Sequence, residues 1–182
     1  MSDASGKRPD LIDYMTSGQN TGWVVEWTPA AGFRWLPNSA VPMPGGVQLS
    51  PDGRSIYYTS WSGKDIRLYD RDRQQVVKST PLAFYPDNLS LRMDGSLLVA
   101  GLDDIGKWKD CFKAKATFCD ESSTVSVIDQ KTLQVKTVFQ LPGGLLSGAS
   151  LAVEAGRELI LGSPSGDRIV GVDRPFLDPR QE

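Results

Sequence analysis

The sequence predicts an all-β chain made of repeated four-stranded antiparallel units, and three observations carry that expectation. Residues 45–70 (GGVQLSPDGRSIYYTSWSGKDIRLYD) run through an apolar strand, an Asp-Gly turn, an aromatic strand, a Ser/Gly turn and a third strand ending in Asp. The same order returns over 88–102 (NLSLRMDGSLLVAGL) with 124–129 (TVSVID), and again over 149–173 (ASLAVEAGRELILGSPSGDRIVGVD). The Asp94-Gly95 turn falls 42 residues beyond Asp52-Gly53, within the ~40–50 residues that separate successive propeller blades. A four-stranded unit of this kind cannot bury both of its faces alone, so the expected architecture is a partial β-propeller of about three blades.

Residues 1–8 are polar and read as a disordered lead-in. Residues 9–18 (PDLIDYMTSG) place Leu11, Ile12 and Met15 on one side of a short helix, with Asp10 as its cap and Gly18 as its stop. Residues 22–37 hold two apolar runs, WVVEW and GFRWL, joined by a turn. They are expected to form the outer hairpin of a blade whose inner strands are missing. A first full blade spans 45–80. A second spans 87–141, interrupted by an insert at 103–123 that is too long for a hairpin and is therefore a candidate lid or binding loop. An incomplete third blade covers 148–173, and 176–182 is a polar tail. Open strand edges at both ends are something proteins avoid, so the partial propeller of 9–175 is expected to be half of a larger one.

Composition removes several function classes. Net charge is −2 with mixed signs, which gives no nucleic-acid footprint. The apolar runs are strand-length, so no membrane span is expected. The polar amino terminus lacks the apolar region of a secretory signal, which places the chain, as written, in the cytoplasm. There is no histidine, which excludes Ser-His and Cys-His nucleophiles and imidazole acid–base chemistry. Cys111 and Cys119 are either two free thiols or one local staple, since no further Cys exists to complete a zinc site.

The pieces Gly45-Gly46-Val47-Gln48-Leu49-Ser50-Pro51-Asp52-Gly53, Tyr85-Pro86-Asp87-Asn88-Leu89-Ser90-Leu91, Asp94-Gly95-Ser96-Leu97-Leu98-Val99-Ala100-Gly101 and Leu159-Ile160-Leu161-Gly162-Ser163 together resemble the regucalcin/gluconolactonase family, in its arylesterase and strictosidine-synthase-like branch. The resemblance covers most of residues 20–173. It implies a six-bladed propeller with a divalent cation, usually calcium, in the central tunnel. Asp87 and Asn88 match one of that family's ligand elements. The family's Asn-Gly ligand position falls on Gly45, which has no side chain to offer, and its early-blade Glu has no counterpart here. The residues agree independently on the chemistry: an adjacent carboxylate and amide supply the hard oxygens calcium takes, although calcium normally needs six to eight of them. An ordinary Asx turn would use the same two residues.

Other candidates carry weaker signals. Asp103 and Asp104 could shape substrate access or join a metal, with a solvated loop as the plain alternative. Trp108 and Phe112 could cover a ligand or seal a satellite core. Trp23, Trp27 and Trp35 are expected to pack between blades rather than to form an aromatic platform. Ser147 and Ser150 lie near the expected tunnel mouth, with no base to activate them. Asp70-Arg71-Asp72-Arg73 reads as a charged hairpin tip and nothing more.

The function implied by the resemblance is a calcium-type, metal-dependent hydrolase of lactones or small esters, incomplete in a single chain. The alternatives are a non-catalytic half-propeller scaffold and the product of a truncated gene. The partners expected are a small lactone or ester and, through the open blade edges, a second copy or a complementary half-propeller; nucleic acid and membrane are not expected.

Overall fold

A computed structural model of the chain describes residues 10–173. A single turn-and-a-half of helix, α1 (Leu11–Met15), is capped by the Asp10 carboxylate, which accepts from Ile12 N. Thirteen strands then follow in four sheets, each made of consecutive strands. The first is a hairpin, β1 (Val25–Thr28) and β2 (Gly32–Trp35). The second is β3 (Pro44–Leu49), β4 (Ser55–Ser60), β5 (Asp65–Asp70) and β6 (Gln75–Pro81). The third is β7 (Tyr85–Leu91), β8 (Leu97–Leu102), β9 (Ser123–Ile128) and β10 (Val135–Leu141). The fourth is β11 (Leu151–Ala155), β12 (Glu158–Gly162) and β13 (Val170–Asp173). This is the meander of a partial β-propeller, with two full blades between an outer hairpin and a three-stranded blade. The expected lead-in (1–8) and tail (176–182) lie outside the described residues.

The Asp-Gly turns work as their chemistry requires. Gly53 and Gly95 take φ of 71° and 84°, a region closed to most side chains. Asp52 accepts from Arg54 N, and Asp94 accepts from Ser96 N in the same way. The repeat therefore extends to the hydrogen bonds inside the turns.

Central strand β8 is buried at all six positions, which explains why LLVAGL lacks polar alternation. Leu97 and Val99 enter the layer shared with β4 and β5 (Tyr57, Ile66, with Leu82 and Phe84). Leu98 and Ala100 enter the layer shared with the third blade (Ala152, Leu159, Leu161). Each buried leucine contributes roughly 1.5–3 kcal/mol relative to exposure. A third layer, Leu36, Val41, Ile56, Tyr58 and Tyr69, joins the outer hairpin to the first full blade.

Three expectations need correction. The tryptophans of the outer hairpin do not pack between blades. Trp23, Trp27 and Trp35 are 38%, 57% and 68% exposed, because their face of the hairpin has no described blade beside it. The opposite face carries Glu26, which pairs with Arg34 on β2 and with Arg71 on the turn between β5 and β6. Arg71 is thus more than part of a charged tip: it also donates to Gly53 O at 2.6 Å and ties the hairpin to the blade. Finally, the insert contains a helix, α2 (Ile105–Lys113), where only a loop was expected.

Candidate functional site at the mouth of the inner strands

Inner strands β3 and β11 both pack against β7, so the starts of these strands gather at one end of the propeller. Asp87 and Asn88 lie at that end, in a register irregularity of β7. Pro86 pairs with Gly101 and Leu89 with Val99, leaving Asp87 and Asn88 out of the ladder. The equivalent irregularity of β3, between Pro44 and Val47, holds Gly45 and Gly46. Such bulges re-aim side chains away from the sheet.

The Asp87 carboxyl is held where few groups can compensate its charge. Burial alone raises its pKa from 3.8 to about 6. Its backbone carbonyl accepts from Thr59 Oγ1 at 2.6 Å, and that same Thr59 oxygen accepts from Gly46 N at 2.9 Å. Thr59 therefore fixes the backbone of both bulges at once. Asn88 faces the third blade: its backbone N and its Nδ2 both donate to Ser150 O, at 2.9 Å and 3.1 Å. The amide nitrogen is used as a latch, which leaves Oδ1 as the atom able to meet a cation.

Glycine at 45 and 46 has a steric cause. A Cβ on Gly46 would stand 2.6 Å from Asn88 Cα, and one on Gly45 would stand 2.6 Å from Thr59 Oγ1 and 3.0 Å from Asp87 O. The position at which the resemblance calls for an amide ligand is crowded instead by the Thr59 hydroxyl of its own blade and the Asp87 carbonyl of the next.

Both carboxylates at the insert accept local hydrogen bonds. Asp103 Oδ1 accepts from Thr124 Oγ1 at 2.7 Å, and Asp104 caps α2 by accepting from Gly106 N at 2.7 Å. Trp108 meets Trp61 edge-on at 5.2 Å, Trp61 meets Tyr85 at 5.5 Å, and Phe112 lies 5.3 Å from Trp108. That ring column seats α2 beside the mouth while leaving Phe112 exposed. The far end of the helix is held by a Cys111–Cys119 disulfide, with Cα atoms 5.7 Å apart. Of the two sequence alternatives for the cysteines, the structure holds the local staple.

Sequence reasoning missed Glu121. It is fully buried, and its Oε1 accepts from Asp104 N at 2.8 Å. Its Oε2 has no partner among the described residues, and burial raises its pKa. It bridges in parallel to Ser147, whose Oγ accepts from Cys119 N at 2.5 Å. Nothing in the polar run DESS distinguishes a buried acid from a solvated one, so no sequence signal could have found it. Ser150 contributes its carbonyl to the Asn88 latch.

Asp87 and Asn88 supply oxygen donors of the kind calcium takes, but too few of them. Among the described residues no group of three His, Cys, Asp or Glu side chains could hold a metal ion. The donor chemistry fits a hard cation; the donor count of one chain does not.

No curated protein matches the chain. Hydrazine synthase from Kuenenia stuttgartiensis superposes with a TM-score of 0.53 at 15% identity, over 79% of this chain and 36% of that one. An oligogalacturonate lyase in complex with manganese gives 0.53 at 14% identity, over 73% and 38%. A luciferin-regenerating enzyme gives 0.50 at 16% identity, over 80% and 45%. These likenesses speak to the β-propeller fold, and the chain spans less than half the length of each. The family model described as Arylesterase matches residues 35–166, a stretch that takes in both full blades, the Asp87-Asn88 bulge and the stapled helix; the chain belongs to the arylesterase family.

Proposed function

We propose that this chain carries one part of the active site of a hydrolase acting on lactones or small esters, with Asp87 as its central carboxylate. The observation that carries the reading is the Asp87 carboxyl itself, desolvated at the mouth of an inner strand and raised to about 6. A carboxylate with such a pKa is poised to accept a proton from water near neutral pH. Where a calcium-type cation binds, Asp87 and Asn88 Oδ1 are the residues of this chain that would hold it, and the ion would polarise the scissile carbonyl. The other ligands must come from outside the single chain, so no step is derived through the ion. The column of Trp61, Tyr85, Trp108 and Phe112 offers an apolar wall beside the mouth, suited to the hydrocarbon part of an ester.

The disulfide favours an oxidising compartment over the cytoplasm. No helix among the described residues is long and apolar enough to cross a membrane.

A second reading, a non-catalytic half-propeller scaffold, draws on Gly45 and on the commitment of the Asn88 amide to Ser150. Hydrolysis of an aryl acetate and of a simple lactone, followed from pH 5 to 8 with and without calcium, separates the two. Without a bound cation the hydrolase reading expects turnover that rises through an apparent pKa near 6; a cation held by Asp87 would move that midpoint to lower pH, and Asp87→Asn would abolish turnover in either case. Absence of turnover with both substrate classes, or an unchanged profile in the variant, would favour the scaffold.

A further inference from the structure

We infer that the Cys111–Cys119 disulfide is a site of thiol–disulfide exchange, and that its reduction by a small dithiol releases α2 from the mouth. The inference starts from how weakly this helix supports itself. α2 has nine residues, none of them buried, and helices of that length are marginal in water unless packing outside them supplies the order. It also ends on a strained residue. Ala116 N donates to Cys111 O and Lys115 N to Phe112 O, a stop that glycine usually makes. Here Lys115 holds the left-handed position, with φ of 50°.

Three ties hold the helix in place. At its start Asp104 caps it, and the Asp104 backbone N–H is tied to buried Glu121. At its middle Trp108 meets Trp61, which is 5% exposed. At its end the tie is the disulfide, whose two cysteines stand eight positions apart.

The two sulfurs of that bond sit in different surroundings. Cys119 is 7% exposed, its N–H donates to Ser147 Oγ at 2.5 Å, and its carbonyl accepts from Glu121 N at 2.9 Å. Cys111, on the helix, is half-buried. The bond therefore joins a sulfur that solvent can reach, on a loosely held helix, to a buried one anchored on the propeller body. Exchange needs such access to one sulfur, and Cys111 offers it.

The exchange runs in two steps. A thiolate of the dithiol attacks Cys111 Sγ, the bond between the protein sulfurs breaks, and Cys119 Sγ leaves with the electron pair and takes a proton. The second thiol of the reagent, as its thiolate, then displaces Cys111 Sγ, which is protonated in turn. The protein disulfide gains two electrons and two protons, and the dithiol is oxidised to its own disulfide.

Both cysteines lie outside the strands, and β8 pairs with β9 over the whole of Leu97–Leu102 without them. Reduction should leave the blades intact while α2 comes away from Trp61 and from Tyr85, which stands two residues before Asp87. A consequence for ester turnover rests on the hydrolase reading. The release of α2 does not, and its test uses no substrate.

That test is hydrogen exchange, followed peptide by peptide in the oxidised chain and again in excess dithiothreitol. Amides of α2, residues 105–113, should exchange about tenfold faster or more after reduction, while those of β7, β8 and β9 keep their rates. The paired variant Cys111→Ser with Cys119→Ser should match the reduced chain and be indifferent to dithiothreitol. Unchanged exchange over α2, in a chain whose two thiols have been counted by alkylation, would overturn the inference. So would faster exchange across β7, β8 and β9 as well, because the bond would then hold the blade rather than the helix. A disulfide that resists dithiothreitol in the folded chain would remove the exchange site itself.

Discussion

The bulges that open β3 and β7 are the same backbone device with opposite chemistry. Each begins at a proline, Pro44 or Pro86, and each drops two residues out of the ladder before pairing resumes. In β3 those residues are Gly45 and Gly46, and the space beside them is taken by Asp87 O and Asn88 Cα. In β7 they are Asp87 and Asn88, and the neighbour on that side keeps hydrogen-bonding distance through Ser150 O. One bulge serves blade-to-blade packing; the other presents an acid and an amide at the mouth. The difference teaches that a bulge gives up its side chains when the adjoining blade comes close enough to need the room.

The largest effect expected from breaking this contrast comes from adding a methyl group to the glycine bulge. In Gly46→Ala the new carbon would press on Asn88 Cα and on Leu89 N at 2.7 Å, both backbone atoms that cannot rotate away. Overpacking of this kind costs about 1–3 kcal/mol, occasionally more. Urea unfolding should therefore show a loss of about 3 kcal/mol, at the upper end of that range. A loss below about 0.5 kcal/mol would mean that the two blades are not held so closely.

Asp87→Asn should move stability the other way. The folded-state pKa of Asp87 lies above its unfolded value, so the folded protein binds the proton more tightly between about pH 4 and 6. Stability therefore falls as pH rises through that window, and the whole cost of the buried charge is present above it. Removing the charge should stabilise the protein at pH 7.5 by on the order of 2 kcal/mol, a rise of about 4–8 °C in Tm. At pH 4 the variant and the natural chain should melt within about a degree of one another. Equal melting temperatures at pH 7.5 would show that something compensates the carboxylate, and the contrast between the bulges would lose its electrostatic half.

Much of this was legible in the residues, and the reasons are physical. Strand alternation, Asp-Gly turns and the 42-residue spacing are local rules, so the blades fall close to the expected boundaries; β3–β6 cover 44–81 against an expected 45–80. Asp87 and Asn88 stand out through the resemblance and as an adjacent carboxylate and amide, expected just before an inner strand; the structure places them inside β7, at its bulge. What stayed hidden depends on contacts between distant residues. Trp23, Trp27 and Trp35 look like packing residues, and only the missing neighbour leaves them exposed. The pairing of Arg71 with Glu26 spans 45 positions and leaves no mark in either local sequence. Glu121 is buried by the fold of the stapled insert, and α2 depends on Asp104, Trp61 and the disulfide more than on its own weakly apolar sequence.

The smallest of the expected effects sharpens the comparison from the Asn88 side. Asn88 N and Nδ2 share one acceptor, Ser150 O, and two further links follow at the same offset: Ser90 Oγ to Ala152 O at 2.7 Å and the Arg92–Glu154 ion pair at 2.7 Å. Asn88→Ala removes only the side-chain member of this row, because the backbone N–H still donates to Ser150 O. The expected loss is therefore about 1 kcal/mol, the net worth of one hydrogen bond. The same change deletes Oδ1, the atom left for a cation. If calcium raises the melting temperature of the natural chain and that rise shrinks in Asn88→Ala, the amide serves latch and ligand together. If the rise is unchanged while the loss of about 1 kcal/mol is present, Asn88 is a latch alone, and the β7 bulge differs from its glycine counterpart by its carboxylate only.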